Sequence, residues 1–465
     1  MDYSNFLNWI EIFFSQIDDF ISRDYVIGEN KFIRRRNMTQ KDITLYTLIQ
    51  SGRSNGVEAF SFFKRLKNKI RSFSTRQAIG KQRKNLRPNL YLDMNNKLID
   101  KIYKDTSHLQ KFKGYFIFSN DGTDLQLPNH EKIKEIYYSE VGCKNLLKKY
   151  SEKLLEFSKN IDNRLKHYLA RARVSCIVDS YSNLIIDVKI VKKEISEIEL
   201  AIDHLKRLKK RNYDLKKIIF VYDRGYNSVE LILNILKEES NFIIRLRTGI
   251  FKDEIKKMTT NDEFLNIKLN QKRLSKIQDP EIKEFDKNKT HIKLRITKVK
   301  LENGTNELLI SNLPQEKLTK NNLKELYNKR WKIETVYDFL KNVMNIENFT
   351  GYSEIIVKQD FYTKILIYNT CMIIKKYTEH MEKLKNKIKK NQSINFNITV
   401  GIVKEQMLDI LYAKTRKEIR EILKITYTAI KKHKIKINIK SRKDMEIKSP
   451  DKAAKFHMNK RISTL

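Results

Sequence analysis

Four polar residues between positions 325 and 343 have types and spacing that suit chemistry on phosphate groups. Tyr327, Arg330, Glu334 and Lys341 follow one another at spacings of three, four and seven residues. At about 3.6 residues per turn they would share an arc of about 60° on one continuous helix. A carboxylate between cations and a phenol could bind a metal ion while its neighbours contact phosphates. The alternative is a surface ion pair between Arg330 and Glu334, which leaves the alignment of Tyr327 and Lys341 unexplained.

Two aspartates could complete a metal site with Glu334. Asp121, in FSNDGTD, and Asp223, in FVYDRGY, each end a predicted strand and are closely followed by a glycine. Side chains at the ends of adjacent buried strands meet at one edge of a sheet, and carboxylate oxygens suit Mg²⁺. Each aspartate alone could simply cap a turn, but the set of three favours a metal site. Arg224, directly after Asp223, is a candidate phosphate contact.

The elements that must position these acids follow an α/β order. Apolar, β-branched or aromatic runs predict three successive strands, then a helix, a strand, a helix and a strand. The segments are GYFIFSNDGTDLQL, ARVSCIVDSY, NLIIDVKIV, SEIELAIDHLKRL, KKIIFVYDRGY, NSVELILNILKEE and NFIIRLR. This is the order of a ribonuclease H-like fold, and we expect that core to comprise residues 106–249 and 316–378.

Three further regions surround the predicted core. Residues 1–105 have a helical pattern, with one helix predicted to begin at Thr39 as N-cap and Asp42 in its first turn. Residues 250–315 alternate in the manner of strands and predict a β-rich insertion. Residues 379–465 predict a basic helical C-terminal region.

A second N-terminal helix is a candidate DNA-binding element. It is predicted to begin at Ser74 or Thr75 and to end before Pro88, and its basic residues include Arg76, Lys81 and Arg83. Long basic side chains on one helix either contact phosphates and base edges or form a solvated face. The sequence pattern alone leaves both interpretations open.

The overall charge favours a polyanionic partner. The chain has 95 basic and 56 acidic side chains, a net charge of +39, and nucleic acid is the polyanion that best explains this excess. The most apolar run, residues 361–374, is shorter than the ~20 residues of a membrane span. The opening segment has no basic leader, and three widely separated cysteines form neither a disulfide framework nor a zinc cluster. We therefore expect a cytoplasmic protein with no membrane partner.

The motifs together resemble those of one family. With its Tyr-2-Arg-3-Glu-6-Lys spacing, DGT around Asp121 and DRGY around Asp223, the sequence resembles bacterial insertion-sequence transposases of the DDE (Asp-Asp-Glu) type. SNLP at residues 311–314, followed by a helix that ends in RW-IE, is also similar to this family. The resemblance extends over about residues 70 to 460.

The resemblance implies a DNA transposase that binds terminal inverted repeats, cleaves DNA strands and joins them to target DNA. It implies two Mg²⁺ ions, with Mn²⁺ able to substitute, and a homodimer on paired DNA ends in the bacterial nucleoid. The implied metal-binding catalytic residues are Asp121, Asp223 and Glu334. The residues expected to contact DNA are Tyr327, Arg330, Lys341, Arg224, Arg76, Lys81 and Arg83.

One departure from the family pattern leaves the hairpin step of cut-and-paste transposition open. Relatives are expected to stack a flipped base on a tryptophan of the insertion, but the chain has tryptophan only at positions 9 and 331. Phe251, Phe264 or Phe285 could replace it, or each could pack in the core. The competing functions are a catalytically silent DNA-binding derivative, which would be expected to lack a carboxylate, and a stand-alone nuclease.

Overall fold

The structure is a computed structural model. It describes residues 5–33, 38–50, 52–65, 74–104, 109–137, 170–247, 249–275, 277–285, 290–300, 306–389 and 391–436. The side chain of Phe285 and the last 29 residues of the predicted C-terminal region, 437–465, lie outside the described residues.

The centre of the protein is a mixed eight-stranded sheet with the strand order β3-β2-β1-β4-β5-β8-β7-β6. Its strands are β1 (Phe116–Gln126), β2 (Arg171–Asp179), β3 (Ile185–Lys192), β4 (Ile218–Tyr222), β5 (Asn241–Arg245), β6 (Asp262–Lys268), β7 (His291–Lys300) and β8 (Asn306–Ser311). Strands β1, β4 and β5 are parallel to one another, and every other pairing is antiparallel. The α/β class predicted from the sequence is therefore confirmed.

The β-rich insertion continues the central sheet instead of forming a sheet of its own. Strand β8 pairs with β5, and β7 and β6 follow it outwards. The described part of the insertion also contains three short helices. They are α9 (Lys252–Ile255), α10 (Gln271–Leu274) and α11 (Pro280–Phe285).

Side chains alternate between the two faces of the sheet along each strand, and a buried core lies on each face. Because successive side chains point to opposite faces, Ile117 belongs to one core and Phe116 and Phe118 belong to the other. The smaller core, around Ile117 and Ile219, is covered by α12 (Lys320–Lys329). The larger core lies under α7 (Glu197–Lys210) and α8 (Val229–Lys237).

Helices from both ends of the chain pack together beside the sheet. The N-terminal helices are α1 (Phe6–Ser15), α2 (Gln40–Ile49), α3 (Asn55–Arg65), α4 (Arg76–Arg83) and α5 (Asn89–Lys104), and α6 (Glu131–Tyr137) follows β1. Helix α14 (Glu354–Leu384) is the long central helix of this layer, followed by β9 (Gln392–Ile394), α15 (Phe396–Tyr412), α16 (Arg416–Ile430) and β10 (Lys434–Lys436). Helices α1 and α5 both contact α14, so the N-terminal region shares a core with the rest of the chain.

The helix starts predicted in the N-terminal region are confirmed. Thr39 caps α2 and forms a reciprocal capping box with Asp42, which satisfies backbone N–H groups that have no partner inside the helix. Thr75 caps α4, and its side chain accepts a hydrogen bond from the N–H of Ala78. In the described part of the chain, no helix combines the length and apolar character needed to cross a membrane.

The continuous helix predicted for residues 325–343 is wrong. Helix α12 ends at Lys329, α13 (Lys332–Asp338) begins after a two-residue turn at Arg330 and Trp331, and residues Phe339–Val343 form a π-helical turn. Both turn residues keep right-handed φ and ψ angles, so the chain bends without reversing direction. The bend leaves Trp331 41% exposed and turns the side chain of Arg330 inwards.

Candidate active site

The sheet places Asp121 and Asp223 side by side. The parallel register of β1 and β4 pairs Ser119 with Val221, and the same offset carried two residues further aligns Asp121 with Asp223. Adjacent strands lie about 4.8 Å apart. Both aspartates also have the odd-numbered parity of Ser119 and Val221, so they share the face of the sheet that α12 covers.

Asp121 is held by its own strand and by α13. Its Oδ1 accepts a hydrogen bond of 2.9 Å from the N–H of Gly122, and its backbone oxygen accepts one of 2.7 Å from the Tyr337 hydroxyl. The pKa of Asp121 is raised to about 6, chiefly by burial and also by the charges of Asp223 and Glu197, while the hydrogen bond from the Gly122 N–H and the charge of Arg330 oppose the rise. Ionisation of this carboxyl group is therefore unfavourable even though the Arg330 guanidinium lies 3.7 Å away.

Asp223 caps the short turn that follows β4. Its Oδ1 accepts a hydrogen bond of 2.6 Å from the N–H of Gly225, and the turn comprises Arg224–Tyr226. The turn leaves Arg224 exposed at the same edge of the sheet. An exposed guanidinium next to the aspartate could contact a phosphate group without leaving its position.

Arg330 connects the helical glutamate to the strand aspartate. One guanidinium nitrogen lies 3.1 Å from Glu334 Oε1, and the other lies 3.7 Å from Asp121 Oδ2. The guanidinium also lies 4.9 Å from the ring of Trp331, and its Nε has no hydrogen-bond partner among the described residues. The bend between α12 and α13 thus brings a buried cation between two of the three predicted metal ligands.

Glu334 lies within electrostatic range of Asp223. Burial raises its pKa, the Asp223 carboxylate adds to that rise, and the charge and hydrogen bond of Arg330 counteract it. Its side chain is 44% exposed, so the carboxylate is the most accessible of the three. Asp223 therefore lies within electrostatic range of both Asp121 and Glu334, although successive acids are more than 100 residues apart along the chain.

Tyr327 and Lys341 have partners inside the protein. Tyr327, on α12, is 5% exposed and packs in the smaller core, so the structure does not expose it to DNA as predicted. Lys341 Nζ donates hydrogen bonds to Thr123 Oγ1 at 2.8 Å and to the Asp124 carbonyl at 3.1 Å. The bent helical segment, residues 320–343, therefore contacts the sheet through both Tyr327 and Lys341.

The three basic candidates on α4 differ in exposure. Arg76 and Lys81 are exposed, as a phosphate contact requires. Arg83 is 3% exposed, and its guanidinium forms a 2.6 Å ion pair with Asp360 and hydrogen bonds to Gln359. This corrects the expectation of a DNA contact for Arg83, because a buried guanidinium with these partners cannot reach DNA.

The donor atoms at the edge suit a hard divalent cation, but they are not gathered around one point. In the part of the chain that the structure describes, no group of three or more His, Cys, Asp or Glu side chains is placed to hold a metal ion. The cause is visible at Arg330, whose guanidinium lies between Asp121 and Glu334. Carboxylate oxygens are the ligands that Mg²⁺ prefers, so the residue types fit such an ion once Glu334 leaves the arginine.

Sequence reasoning missed two residues of this edge. Tyr337 lies in α13 and fixes the backbone of Asp121, although its position in the sequence resembles that of any buried helical aromatic residue. Glu197 begins α7 and lies against Gly122, immediately beside Asp121. The only sequence signal for this approach is the glycine, which leaves room for a neighbouring side chain.

The aromatic candidates of the insertion have different surroundings. Phe251 is buried, with a left-handed backbone and the Arg273 guanidinium 4.8 Å from its ring. Phe264 is half-buried on β6, and Lys293 Nζ lies 5.5 Å from its ring. Phe264 is therefore more accessible to a base than Phe251.

Comparison with known proteins identifies a family. The family model described as "Transposase DDE domain" matches residues 113–370, which include all three acids. Among solved structures, the chain is similar to one described as "Cryo-EM structure of piggyBac transposase synaptic complex with hairpin DNA (SNHP)", at 12% sequence identity and a TM-score of 0.41, over 89% of this chain and 85% of that chain. No curated protein matches the sequence.

Proposed function

This chain belongs to the transposase DDE domain family, and on that premise we propose that it binds the terminal inverted repeats of an insertion sequence and catalyses metal-dependent DNA strand cleavage and strand transfer. The observation that supports the proposal is the position of Arg330, whose guanidinium lies 3.7 Å from Asp121 and 3.1 Å from Glu334, while the charge of Asp223 acts on both of these acids. The strand order β3-β2-β1-β4-β5 supports a ribonuclease H-like catalytic core with the insertion attached at β5.

Asp121, Asp223 and Glu334 would hold two Mg²⁺ ions, or Mn²⁺ in their place, whose chemistry is to activate the attacking oxygen and neutralise the leaving oxygen in phosphoryl transfer. The protein's own contribution is to fix the three carboxylates. Tyr337 holds the Asp121 backbone, and the Gly225 N–H holds the Asp223 side chain. Glu334 is free to turn because Arg330 is its only ion-pair partner among the described residues.

Arg330 becomes available to bind a phosphate once Glu334 turns away from it. Its guanidinium is buried beside Asp121 and can donate two parallel hydrogen bonds to one phosphate in a fixed planar geometry that a lysine lacks. We therefore assign Arg330 to the phosphate nearest the acids. This assignment keeps the cation at the site whether it neutralises a carboxylate or binds DNA.

The proposed DNA-binding surface of the protein extends from this edge of the sheet to exposed basic side chains outside the acidic site. Arg224 lies beside Asp223, and Arg76 and Lys81 lie on α4 of the N-terminal region. The net charge of +39 supports a long electrostatic contact with duplex DNA. Two copies of the chain, one on each paired end, would bring both ends to the target.

The proposal is tested by replacing each acid with its uncharged amide analogue. We expect Asp121→Asn, Asp223→Asn and Glu334→Gln each to slow strand cleavage at least about a thousandfold, which corresponds to about 4 kcal/mol of transition-state stabilisation. Binding to the DNA ends should persist because the basic surface is unchanged. The substrate is a duplex that carries the inverted repeats bordering the coding region.

The matched control is Asp338→Asn, which removes an exposed acid one turn beyond Glu334 on the same helix. The control should cleave at the rate of the unaltered protein. Cleavage retained in any of the three amide variants would refute the metal assignment. Loss of end binding together with cleavage would show that the variants fail before the chemical step.

A further inference from the structure

A tight turn with an uncommon lysine directly precedes β1. Phe112 and Tyr115 exchange two backbone hydrogen bonds, of 2.8 and 3.0 Å, so Lys113 and Gly114 form the tip of a two-residue turn. Both tip residues have positive φ angles, 48° for Lys113 and 89° for Gly114, as a type I′ turn requires. Asparagine, aspartate or glycine usually occupies the first tip position, because the left-handed region is unfavourable for other side chains. The turn thus presents a lysine where local preference favours a different residue.

Three lysine side chains meet at this turn. Lys113 Nζ donates a hydrogen bond of 2.9 Å to the carbonyl of Lys317, on the segment that leads into α12. Lys317 Nζ lies 3.3 Å from the Tyr115 hydroxyl and 5.3 Å from the centre of its ring. Lys111 Nζ lies 4.9 Å from the centre of the Phe116 ring. Contacts with aromatic faces and a carbonyl therefore hold the three ammonium groups of this cluster, the basic turn, which comprises residues 111–115 and Lys317.

The basic turn keeps its positive charge among the residues that the structure describes. Within those residues no carboxylate forms an ion pair with its three lysines, whereas Lys216, exposed at the same end of the sheet, pairs with Glu239 at 2.7 Å. The pKa of Lys111 is lowered, first by burial and then by the charge of Lys217, while the charge of Asp214 opposes the shift. Like charges held together in this way favour a polyanionic partner.

The basic turn lies a short distance from the proposed active site. Asp121 comes five residues after Phe116, the first residue of β1, so about 17 Å of strand separates the two positions at about 3.4 Å per residue. Helix α12 spans the same interval, because Lys317 precedes it and Arg330, beside Asp121, follows it. Its ten residues have a length of about 15 Å. Both routes place the turn within reach of DNA bound at the acids.

Helix α4 lies beyond the other end of β1. Strand β1 ends at Gln126, whose backbone N–H donates a hydrogen bond of 2.9 Å to Glu347 Oε1. Three residues after Glu347, the hydroxyl of Thr350 accepts a hydrogen bond of 2.6 Å from Arg83, the last residue of α4. Asp121 therefore lies midway along a strand that has α4 at one end and the basic turn at the other.

We propose that the basic turn binds phosphates of the DNA that flanks the insertion sequence, on the opposite side of the cleaved phosphate from the inverted repeat. The inference rests on the proposed function, which places the repeat on α4 and the cleaved phosphate at the acids. DNA that runs from α4 past Asp121 reaches the basic turn with its flanking part. At 3.4 Å per base pair, about 17 Å corresponds to about five base pairs beyond the cleaved phosphate. Because ammonium groups bind phosphates and not base edges, the contact does not depend on the flanking sequence.

The first test compares three DNA probes in filter-binding titrations with the full chain. The repeat probe ends at the cleavage position, the extended probe adds about ten base pairs of flanking DNA, and the length control adds the same number at the inner end of the repeat. We expect the unaltered protein to bind the extended probe most tightly, with a salt dependence steeper by about two units of slope. Lys113→Gln combined with Lys317→Gln should remove this preference and leave binding to the repeat probe unchanged.

The matched control is Lys216→Gln, because Lys216 is exposed at the same end of the sheet but already pairs with Glu239. This variant should keep the preference for the extended probe, and thermal unfolding verifies that both variants are folded. A double variant that retains the preference, or that binds all three probes equally weakly, would overturn the inference. If the unaltered protein binds the repeat probe no better than random duplex of the same length, the proposed function fails and the inference fails with it.

A second test locates the contact on the DNA. Methylphosphonate groups, which carry no charge, replace single phosphates along the extended probe. Replacement about five base pairs into the flanking DNA should weaken binding of the unaltered protein and have no effect on the double variant. Sensitivity confined to phosphates of the repeat would overturn the inference.

Discussion

Replacing Asp121 with asparagine should make the protein more stable at neutral pH while abolishing its proposed chemistry. Burial raises the pKa of Asp121 from 3.8 to about 6, so the folded protein resists ionisation of this carboxyl group. At about 1.36 kcal/mol per pKa unit, the difference corresponds to about 3 kcal/mol. Asparagine has nearly the same shape and no charge, so Asp121→Asn should gain up to about 3 kcal/mol in the free energy of unfolding at pH 8.

The gain should depend on pH in one direction only. Between pH 3.8 and about 6 the folded state binds the Asp121 proton more tightly than the unfolded state does. The contribution of this carboxyl group to stability is therefore greatest below pH 3.8, falls as the pH rises through this window and is constant above it. Asparagine does not ionise, so the Asp121→Asn variant does not lose stability in this way as the pH rises. The free energies of unfolding of the two proteins should differ little at pH 4 and most at pH 7 to 8.

Urea unfolding followed by circular dichroism, from pH 4 to pH 8 with a metal chelator, measures this difference. Asp124→Asn is the control, because Asp124 forms a 2.6 Å ion pair with Lys193 and should not gain stability when its charge is removed. Adding Mg²⁺ should stabilise only the unaltered protein and reduce the difference. A variant that is no more stable than the unaltered protein at pH 8, or that gains equally at pH 4, would refute the reasoning.

Two further outcomes separate structural cations from DNA contacts. Arg83→Met should lower the free energy of unfolding by about 3–5 kcal/mol in urea, because it leaves the buried Asp360 carboxylate without its cation, and a loss below about 1 kcal/mol would contradict this. Lys341→Ala should reduce the salt dependence of end binding by about one unit of slope if Lys341 contacts a phosphate. An unchanged slope in a filter-binding titration would confine Lys341 to its bonds with Thr123 and Asp124.

Local signals in the sequence were sufficient to locate the strand acids. Short apolar runs mark the beginning of β1 and the whole of β4, and an aspartate follows each run. Asp223 comes directly after β4, but β1 continues through Asp121 to Gln126, so the prediction that Asp121 ends its strand is wrong. Asp121 and Asp223 each lie five residues after the first residue of their strand, and the parallel register that pairs Phe116 with Ile218 aligns them when it is extended to these positions. Helix starts such as Thr39 were also predictable, because an N-cap depends on only a few neighbouring residues.

Features that depend on distant partners could not be predicted from the sequence. Arg83 and Arg76 have the same chemistry on the same helix, yet Arg83 is buried because Asp360, 277 residues away, meets it. The helical pattern of the sequence continues through Arg330 and Trp331, so no local signal predicts the bend that the structure has there. Glu197 looks like any first-turn acid until β1 brings Gly122 to it.

The insertion helps to position Glu334, because its strands contact the segment that leads to the helix carrying this residue. Buried Arg295, on β7, donates hydrogen bonds to the carbonyls of Leu318 at 2.6 Å and Leu313 at 3.3 Å, on the segment that leads into α12. Asp262, on β6, holds the same guanidinium through a 2.6 Å ion pair. Since α12 leads directly to the bend and to Glu334, the insertion strands fix where the helical carboxylate enters the site. The third acid is thus positioned by a segment that precedes it in the chain, whereas the two aspartates are positioned by the parallel strands themselves.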